Sequence, residues 1–202
     1  MIVIVDYGMG NIRSIHYKLQ KNGIESKVSS LSSDILSADK LILPGVGHFK
    51  QGMENLRKFN LIDALHRKVL EEKTPVMGIC LGIQLFTNFS EEGDCEGLKW
   101  IDAETKRFRF DGLGLSIPHV GWNSIKLRRP STLFAGMPDD KRYYFTHSYH
   151  LVCNNDEDIL AESEYGYPFV AAIQLENIYG TQFHPEKSHK DGMRVLLNFC
   201  RL

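Results

Sequence analysis

Pro75-Val-Met-Gly-Ile-Cys80-Leu-Gly82 is the stretch of sequence that decides the fold. It begins as an apolar run, which is typical of a strand buried on both faces of a parallel sheet. It then places Cys80 two residues after Gly78 and two residues before Gly82. This spacing is the thiol version of the nucleophile elbow, a sharp turn that lifts a nucleophile above the sheet. Glycine is expected at both flanking positions because a Cβ would crowd the turn or a neighbouring strand.

The elbow predicts a strand over residues 75–80 and a helix over residues 81–89. The N-terminus of that helix would favour a thiolate, which is the reactive form of cysteine. A buried core cysteine beside two flexible glycines is the alternative interpretation of the same five residues.

The rest of the first half of the chain alternates between strand-like and helix-like patterns. Apolar runs predict strands, and apolar residues at helical spacing predict helices. The predicted strands cover residues 2–5, 24–28 and 40–43, the last one stopped by Pro44-Gly45, and the predicted helices cover residues 11–22, 49–72 and, near the far end of the chain, 190–201. Such alternation indicates an α/β fold with a central, mostly parallel sheet and helices on both faces.

Residues 106–175 have a different pattern, in which short β-like runs at 143–145 and 169–173 are separated by turn residues. They predict a small antiparallel extension, with hairpin loops at Asp139–Asp140 and Asn154–Asp158. No internal repeat, low-complexity tract or linker interrupts the sequence. We therefore predict a single domain over residues 1–202.

The composition argues against several classes of protein. Lys and Arg total 24 and Asp and Glu total 25, so a formal net charge of −1 gives no electrostatic footprint for nucleic acid or an anionic membrane. No apolar stretch approaches the roughly 18 residues of a membrane span, and the first residues have no signal-peptide pattern. The 4 cysteines are widely scattered, which is typical of a reducing compartment. We expect a cytoplasmic protein without nucleic-acid or membrane partners.

A second candidate element is His184-Pro-Glu186, which closes a strand-like stretch at residues 178–183. In an extended segment, residues i and i+2 point the same way, so Glu186 can reach the ring nitrogen of His184 that does not face the thiol. That contact would fix the tautomer and stabilise the imidazolium. Alone, a His-Pro-Glu tripeptide is more often a surface turn. Together with the cysteine elbow, it predicts a Cys80-His184-Glu186 triad that performs acyl transfer through a thioester.

A third element is Pro44-Gly-Val-Gly47, which follows a predicted strand at the sheet edge where parallel α/β folds place their sites. A Gly-x-Gly turn there can aim the N–H of Val46 at a developing oxyanion, and the N–H of Leu81 is the natural second donor. The alternative is that Pro-Gly simply ends the strand.

The sequence predicts neither a cofactor nor a metal site. Gly8-Met-Gly10 lacks the third glycine of a dinucleotide fingerprint, and no phosphate loop occurs. His147 and His150 have a spacing that could hold a metal, but no third ligand is nearby. We expect structural or substrate-binding roles for both histidines.

Gly78-Ile-Cys-Leu-Gly-Ile-Gln84 and Gln182-Phe-His-Pro-Glu186 together resemble the motifs of the class I, or triad, glutamine amidotransferases, and the resemblance covers essentially the whole chain. It implies a flavodoxin-like α/β fold and an activity that liberates ammonia from the side-chain amide of glutamine. It also implies that Cys80 is the nucleophile, His184 the general base and acid, and Glu186 the residue that orients the histidine.

Four further segments are similar to the glutaminase subunits of imidazole glycerol phosphate synthases: Asp6-Tyr-Gly-Met-Gly-Asn11, Leu43-Pro-Gly-Val-Gly47, Pro118-His-Val-Gly-Trp-Asn123 and Tyr144-Phe-Thr-His-Ser-Tyr149. In that family the subunit pairs with a separate (β/α)8-barrel cyclase of histidine biosynthesis, and ammonia passes through the barrel. The chemistry that the motifs indicate is confined to releasing ammonia, so we expect a second protein to receive it.

The same resemblance implies the binding residues. The substrate glutamine would be held by Gly47, Gln84, Ser148 and Tyr149. Gln84 lies one helical turn past Cys80, and its amide can pair with both the carboxylate and the ammonium group of an amino acid. The interface with the synthase would include Asn11, Trp122, Tyr144 and Lys187. For Trp122, a core position is the alternative, although Gly121 and Asn123 beside it favour an exposed anchor.

Residues 95–103, Cys-Glu-Gly-Leu-Lys-Trp-Ile-Asp-Ala, depart from the pattern of the histidine-pathway subunits, and so does His48. The departure resembles paralogues that supply ammonia for amidation of a surface-polysaccharide sugar, which is the alternative acceptor. A cysteine hydrolase that acts without a partner and a catalytically silent interaction module are the two alternatives of other classes.

Overall fold

A computed structural model describes residues 1–110, 112, 114–137 and 141–202. The strands, numbered along the chain, are β1 (Ile2–Val5), β2 (Ser26–Ser29), β3 (Lys40–Gly45), β4 (Val76–Cys80), β5 (Phe89–Ser90), β6 (Cys95–Glu96), β7 (Ala103–Arg107), β8 (His119–Ser124), β9 (Lys126–Leu127), β10 (Arg142–His147), β11 (Tyr149–Cys153), β12 (Ile159–Tyr165), β13 (Tyr167–Leu175) and β14 (Ile178–Thr181). The α-helices are α1 (Ile12–Lys21), α2 (Ser32–Leu36), α3 (Phe49–Lys58), α4 (Ile62–His66), α5 (Leu81–Gln84) and α6 (His189–Cys200).

The central sheet has the strand order β2-β1-β3-β4-β14-β13-β12-β9. Its first five strands run parallel, and the last three are added antiparallel. Two smaller sheets have the orders β10-β8 and β11-β7-β5-β6. The predicted α/β fold, a mostly parallel sheet with a small antiparallel extension, is confirmed.

Two hydrophobic cores lie on opposite faces of this sheet, since successive strand residues alternate between them. Val3 and Leu43 belong to one core, which helices α2, α3 and α4 cover. Ile4 and Ile42 belong to the other core, which helices α1 and α6 cover. Each fully buried aliphatic side chain contributes about 1.5–3 kcal/mol to folding. Helices therefore pack on both faces, as the alternating pattern predicted.

The predicted helix over residues 49–72 is wrong as a single element. Helix α3 ends at Lys58, and Asn60 takes a φ of 55°, a left-handed conformation that interrupts a right-handed helix. Leu61 follows in the core, which anchors the turn before α4. The chain then continues as a π-helical segment, Arg67–Glu71.

Predicted boundaries next to the elbow are also corrected. Strand β3 does not stop before Pro44-Gly45, because Pro44 pairs with Ile79 and Gly45 pairs with Cys80. The predicted helix over residues 81–89 ends at Gln84 as α5. Beyond it, Thr87 donates a hydrogen bond from Oγ1 to the Gln84 carbonyl oxygen (2.8 Å), and the chain turns into β5.

The predicted strand over residues 178–183 ends at Thr181. There the Thr181 hydroxyl donates a hydrogen bond to the carbonyl oxygen of Phe183, two residues further along the chain (3.0 Å). The predicted hairpin at Asn154–Asp158 is wrong, because β11 pairs with β7 while β12 pairs with β13. The segment therefore connects two different sheets. The other predicted hairpin loop, Asp139–Asp140, lies outside the described residues. Among the described residues, no helix combines the length and the apolar character that crossing a membrane requires.

Gly82 supplies a test of the elbow. A Cβ on Gly82 would lie 1.8 Å from the Leu43 carbonyl oxygen, so Gly82→Ala must push β3 away from α5. We expect the free energy of unfolding, measured in urea, to fall by about 3 kcal/mol or more. Gly23→Ala is the control: its φ of 73° strains a side chain, but nothing lies within 4 Å of the new atom, so the loss should be about 1 kcal/mol. Equal losses in both variants would contradict the close approach.

Candidate active site

Cys80 is the last residue of β4, at the turn into α5. Its φ of 54° is in the left-handed region, which is strained for a residue with a Cβ and is typical of a nucleophile elbow. The residue is buried, and its Sγ lies 3.8 Å from the Thr146 carbonyl oxygen and 3.8 Å from Nε2 of Gln182. Since α5 has only four residues, its dipole supports a thiolate less than the longer predicted helix would.

His184 and Glu186 meet, but not in the way that the sequence predicted. Nδ1 of His184 lies 2.8 Å from Oε1 of Glu186, and 1% of each side chain is exposed. The chain is not extended here: Pro185–Lys187 forms a 3-10 turn, and proline is well suited to its first position. The turn, rather than strand alternation, brings the carboxylate back to the ring.

Hydrogen bonds hold the His184–Glu186 segment from several sides. The backbone N–H of His184 donates to the Tyr144 carbonyl oxygen (2.9 Å). Ser188 donates its hydroxyl to the His184 carbonyl oxygen (2.6 Å). The Lys18 ammonium of α1 donates to the Glu186 carbonyl oxygen. The histidine ring is therefore fixed to β10 and α1 as well as to its carboxylate.

The pKa of His184 is set by opposing effects. Burial lowers it, because an imidazolium is poorly solvated in the interior. The charge and hydrogen-bonding capacity of Cys80, followed by those of Glu186, outweigh burial and raise the pKa of His184 to about 10. Nε2 of the ring is buried and has no hydrogen bond of normal geometry within the described part of the chain. It is therefore the nitrogen left to exchange a proton with the thiol or a ligand.

A cavity of about 230 Å³ opens beside Cys80. The structure places every predicted oxyanion and glutamine-binding residue in its lining: Val46, Gly47, Leu81, Gln84, Ser148 and Tyr149. The first two come from the turn after β3, the next two from α5, and the last two from the junction of β10 and β11. One cavity therefore joins residues far apart in sequence, and their individual roles stay predictions.

Gln84 forms part of the buried wall of this cavity. Its Nε2 donates to the Tyr149 carbonyl oxygen (3.0 Å) and to Oε1 of Gln182 (3.1 Å). Both N–H bonds of the amide are used in this way, so Oε1 of Gln84 is the atom that a ligand can meet. The sequence suggested that this amide could pair with both the carboxylate and the ammonium group of an amino acid. With only Oε1 left, Gln84 can accept a hydrogen bond from the ammonium group but has no N–H to donate to the carboxylate.

His147 also lines and supports this wall, a position compatible with both the structural and the substrate-binding role expected for it. Its Nδ1 lies 2.8 Å from the Tyr149 carbonyl oxygen and its Nε2 lies 3.1 Å from Nδ1 of His119. Burial lowers the pKa of His147 to about 3 and that of His119 to about 4, so both rings are neutral at pH 7. In the described ranges, no group of three or more His, Cys, Asp or Glu residues has the geometry of a metal site.

Comparisons with known proteins agree with this geometry. The family description "Glutamine amidotransferase class-I" matches residues 3–201. The chain belongs to the class I glutamine amidotransferase family.

Relatives of this amidotransferase match along its whole length. The chain is 47% identical to imidazole glycerol phosphate synthase subunit HisH 2 of Methanococcus maripaludis, with 100% of this chain and 99% of that protein covered. It is 46% identical to the subunit of the same name from Pseudomonas aeruginosa, with both chains fully covered. A solved glutamine amidotransferase superposes with a TM-score of 0.76 at 18% identity over 100% of both chains, and this likeness concerns the fold alone.

Sequence reasoning missed two residues of the amidotransferase site. Glu92 lines the cavity, and its Oε2 accepts a hydrogen bond from the backbone N–H of Phe49 (2.7 Å) at the start of α3. In the sequence, Glu92 belongs to an acidic stretch that resembles any solvated loop. Gln182 is the first residue of the Gln182-Phe-His-Pro-Glu186 motif, which predicts no role for it. The structure places its Nε2 3.8 Å from Sγ of Cys80.

Three of the four predicted interface residues form one surface patch on the amidotransferase. The ring of Trp122, 37% exposed, lies 6.1 Å from the ring of Tyr144, and Nζ of Lys187 lies 5.6 Å from the Tyr144 centroid. Trp122 also stacks on His189 at 4.9 Å, so it is a surface residue and not part of the core. Asn11 immediately precedes α1, and its side chain forms no hydrogen bond with the other three residues.

Residues 95–103, whose sequence departs from the pattern of the histidine-pathway subunits, are not part of this patch. Trp100 is buried against Phe86 with a centroid distance of 4.7 Å, and Ile101 is buried in the same core. Asp102 accepts hydrogen bonds from Asn88 and Asn154. The departure therefore alters core packing and not this patch, and the alternative acceptor that it suggests stays a prediction.

Glu186→Gln tests the electrostatics of the pair. The amide keeps an acceptor for Nδ1 of His184 but removes the charge, so the pKa of His184 should fall by about one to two pH units. An NMR titration of the His184 ring nitrogens measures it. Glu164→Gln, at an exposed position of β12, is the control and should leave the pKa of His184 unchanged. The same pKa in E186Q and the parent would contradict the assigned cause.

Proposed function

We propose that this amidotransferase is the glutaminase subunit of an imidazole glycerol phosphate synthase in histidine biosynthesis. The observation that carries the proposal is a strained cysteine that lines a cavity and interacts with a buried histidine–glutamate pair. The chain that holds them is 46–47% identical over its full length to subunits of that name. The subunit hydrolyses glutamine to glutamate and ammonia. A partner synthase subunit receives the ammonia.

The geometry supports a two-step mechanism. Sγ of Cys80 bonds to the side-chain carbonyl carbon of glutamine, the C–N bond breaks, and His184 gives its proton to the departing nitrogen, which leaves as ammonia. Water then attacks the thioester while His184 takes its proton, which yields glutamate and restores the thiol. Val46 and Leu81 line the cavity beside Cys80, and their backbone N–H groups would hold the oxyanion of both steps.

Two acceptors in the cavity suit the α-ammonium group of glutamine. The first is the carboxylate of Glu92, and the second is Oε1 of Gln84, whose N–H groups are already used. Gly47, Ser148 and Tyr149 line the same space and are proposed to contact the rest of the amino acid. A free amino acid with its charged ends is therefore favoured over a peptide, whose amide nitrogen carries no charge.

The partner is proposed to be a separate (β/α)8-barrel subunit that docks on the patch of Trp122, Tyr144 and Lys187, with Asn11 near its edge. The patch is joined to the triad, since Tyr144 accepts the hydrogen bond from the His184 backbone and Lys187 follows Glu186 directly. Free ammonia is protonated in water at pH 7 and ceases to be a nucleophile. A partner docked here would receive it before that happens.

Replacing the nucleophile tests the enzyme. In the complex with its synthase, Cys80→Ala should lose glutamine-driven formation of imidazole glycerol phosphate by at least about 10³-fold, because no thioester can form. Activity with added ammonium salt should remain, which serves as the internal control for folding and assembly. Residual glutamine hydrolysis at the parental rate would refute the assignment. If the unmodified chain hydrolyses glutamine at the same rate with and without the synthase subunit, a stand-alone hydrolase is favoured instead.

Docking is tested by Trp122→Ala. Removing a half-exposed aromatic anchor from the centre of an interface weakens binding. The dissociation constant for the synthase subunit, measured by titration calorimetry, should therefore rise about tenfold or more. Val152→Ala, at an exposed position of β11 with the same 37% exposure, should leave it unchanged. An unchanged constant in W122A would place the docking surface elsewhere.

A further inference from the structure

Gln182 is an uncharged, fully buried residue placed against the reacting sulfur. It follows β14, which pairs with the elbow strand β4, and none of its surface is exposed. Its backbone N–H donates to the Ala171 carbonyl oxygen (2.9 Å), which holds the residue to β13. Its side-chain Nε2 lies 3.8 Å from Sγ of Cys80. The mechanism above gives this side chain no part.

The Tyr149 carbonyl oxygen determines the orientation of the Gln182 amide through two successive hydrogen bonds, with Gln84 between them. The Tyr149 carbonyl oxygen can only accept, so the atom of Gln84 that faces it must be the nitrogen. The second N–H of that nitrogen points at Gln182 and requires an oxygen there (3.1 Å). Oxygen on that side leaves the nitrogen of Gln182 on the side of Cys80. The direction of the N–H bond toward sulfur is therefore imposed by the network.

The sulfur has a second polar neighbour of opposite character. The Thr146 carbonyl oxygen, 3.8 Å from Sγ, accepts from a thiol but repels a thiolate. A donor is therefore needed near Sγ in addition to the His184 ring if the ionised form is to persist. The Nε2 group of Gln182 is placed to supply it, and a hydrogen bond to a charged group is stronger than one between neutral groups.

We propose that Gln182 donates a hydrogen bond to the Cys80 thiolate and that Gln84 locks it in the donating orientation. The inference rests on the proposed function in one respect, namely that Cys80 is the nucleophile. Gln84 then has two tasks, since it forms the cavity wall with one face and orients the donor to the nucleophile with the other. Because Gln182 is buried behind the cavity wall, its loss should affect the chemical step and leave glutamine binding intact.

Two variants of the full chain test the proposal. Gln182→Met has a similar volume and no donor, and Gln182→Glu keeps the shape while replacing the donor with an oxygen. In both, the rate of Cys80 alkylation by iodoacetamide at pH 7 should fall about tenfold or more, and the rates should converge with the parental rate at high pH. In complex with the synthase, the kcat for glutamine should fall similarly while KM changes little. Gln174→Met, which removes a glutamine amide that binds Ser131 instead, should behave like the parent.

Alkylation needs neither glutamine nor partner, so it separates this proposal from the proposed function. Parental alkylation rates in either folded Gln182 variant would overturn the role of Gln182, even if glutamine hydrolysis is confirmed. If neither variant folds, the side-chain amide of Gln182 in the parent chain decides the question by NMR. Its NH₂ signals should move on Cys80→Ala by more than those of Gln174, and unmoved signals would overturn the proposal.

Discussion

The close approach between the end of β3 and the elbow is the constraint on which the rest of the structure depends. A Cβ on Gly82 would meet the Leu43 carbonyl oxygen at 1.8 Å, and a Cβ on Gly45 would meet Cβ of Leu81 at 2.7 Å. Glycines therefore interlock from both sides of the contact. Only this fit lets Gly45 pair with Cys80, which in turn places the turn at Val46 beside the sulfur.

Strand order explains why the triad can assemble at all. Strand β14 runs parallel to β4, with Gly180 opposite Gly78 and Thr181 opposite Ile79, so the residues after both strands emerge at the same edge of the sheet. Cys80 and His184 leave that edge from neighbouring strands, although about a hundred residues of chain lie between them. The parallel pairing of β4 and β14 thus brings two residues that are distant in sequence to the same edge of the sheet.

The parts of the fold that the sequence predicts are those governed by local patterning. Buried strands such as Ile2–Val5 and the elbow at Cys80 are recognisable because neighbouring residues determine them. The parts that it does not predict depend on distant contacts. Nothing local indicates that Asn60 divides a long amphipathic stretch, or that β11 pairs with β7 and not with its neighbour along the chain.

The site shows the same division. The triad residues are predictable because two short motifs carry them, whereas their contact geometry is not, since Pro185 starts a 3-10 turn where strand alternation was expected. Glu92 has no recognisable local signal, because its position in the site depends on two features distant in sequence. These are its hydrogen bond to the start of α3 and the cavity that it lines. Gln182 is visible in a motif, but its role follows only from the orientation of two amides.

The backbone hydrogen bond from His184 to Tyr144 joins the proposed general base to the strand that carries part of the exposed patch. The two rings of that patch and the imidazole of the triad belong to one short, hydrogen-bonded unit. If the partner docks at this patch as proposed, binding and chemistry share one backbone hydrogen bond. A substitution in β10 that alters the patch would then also act on the carbonyl group that holds His184.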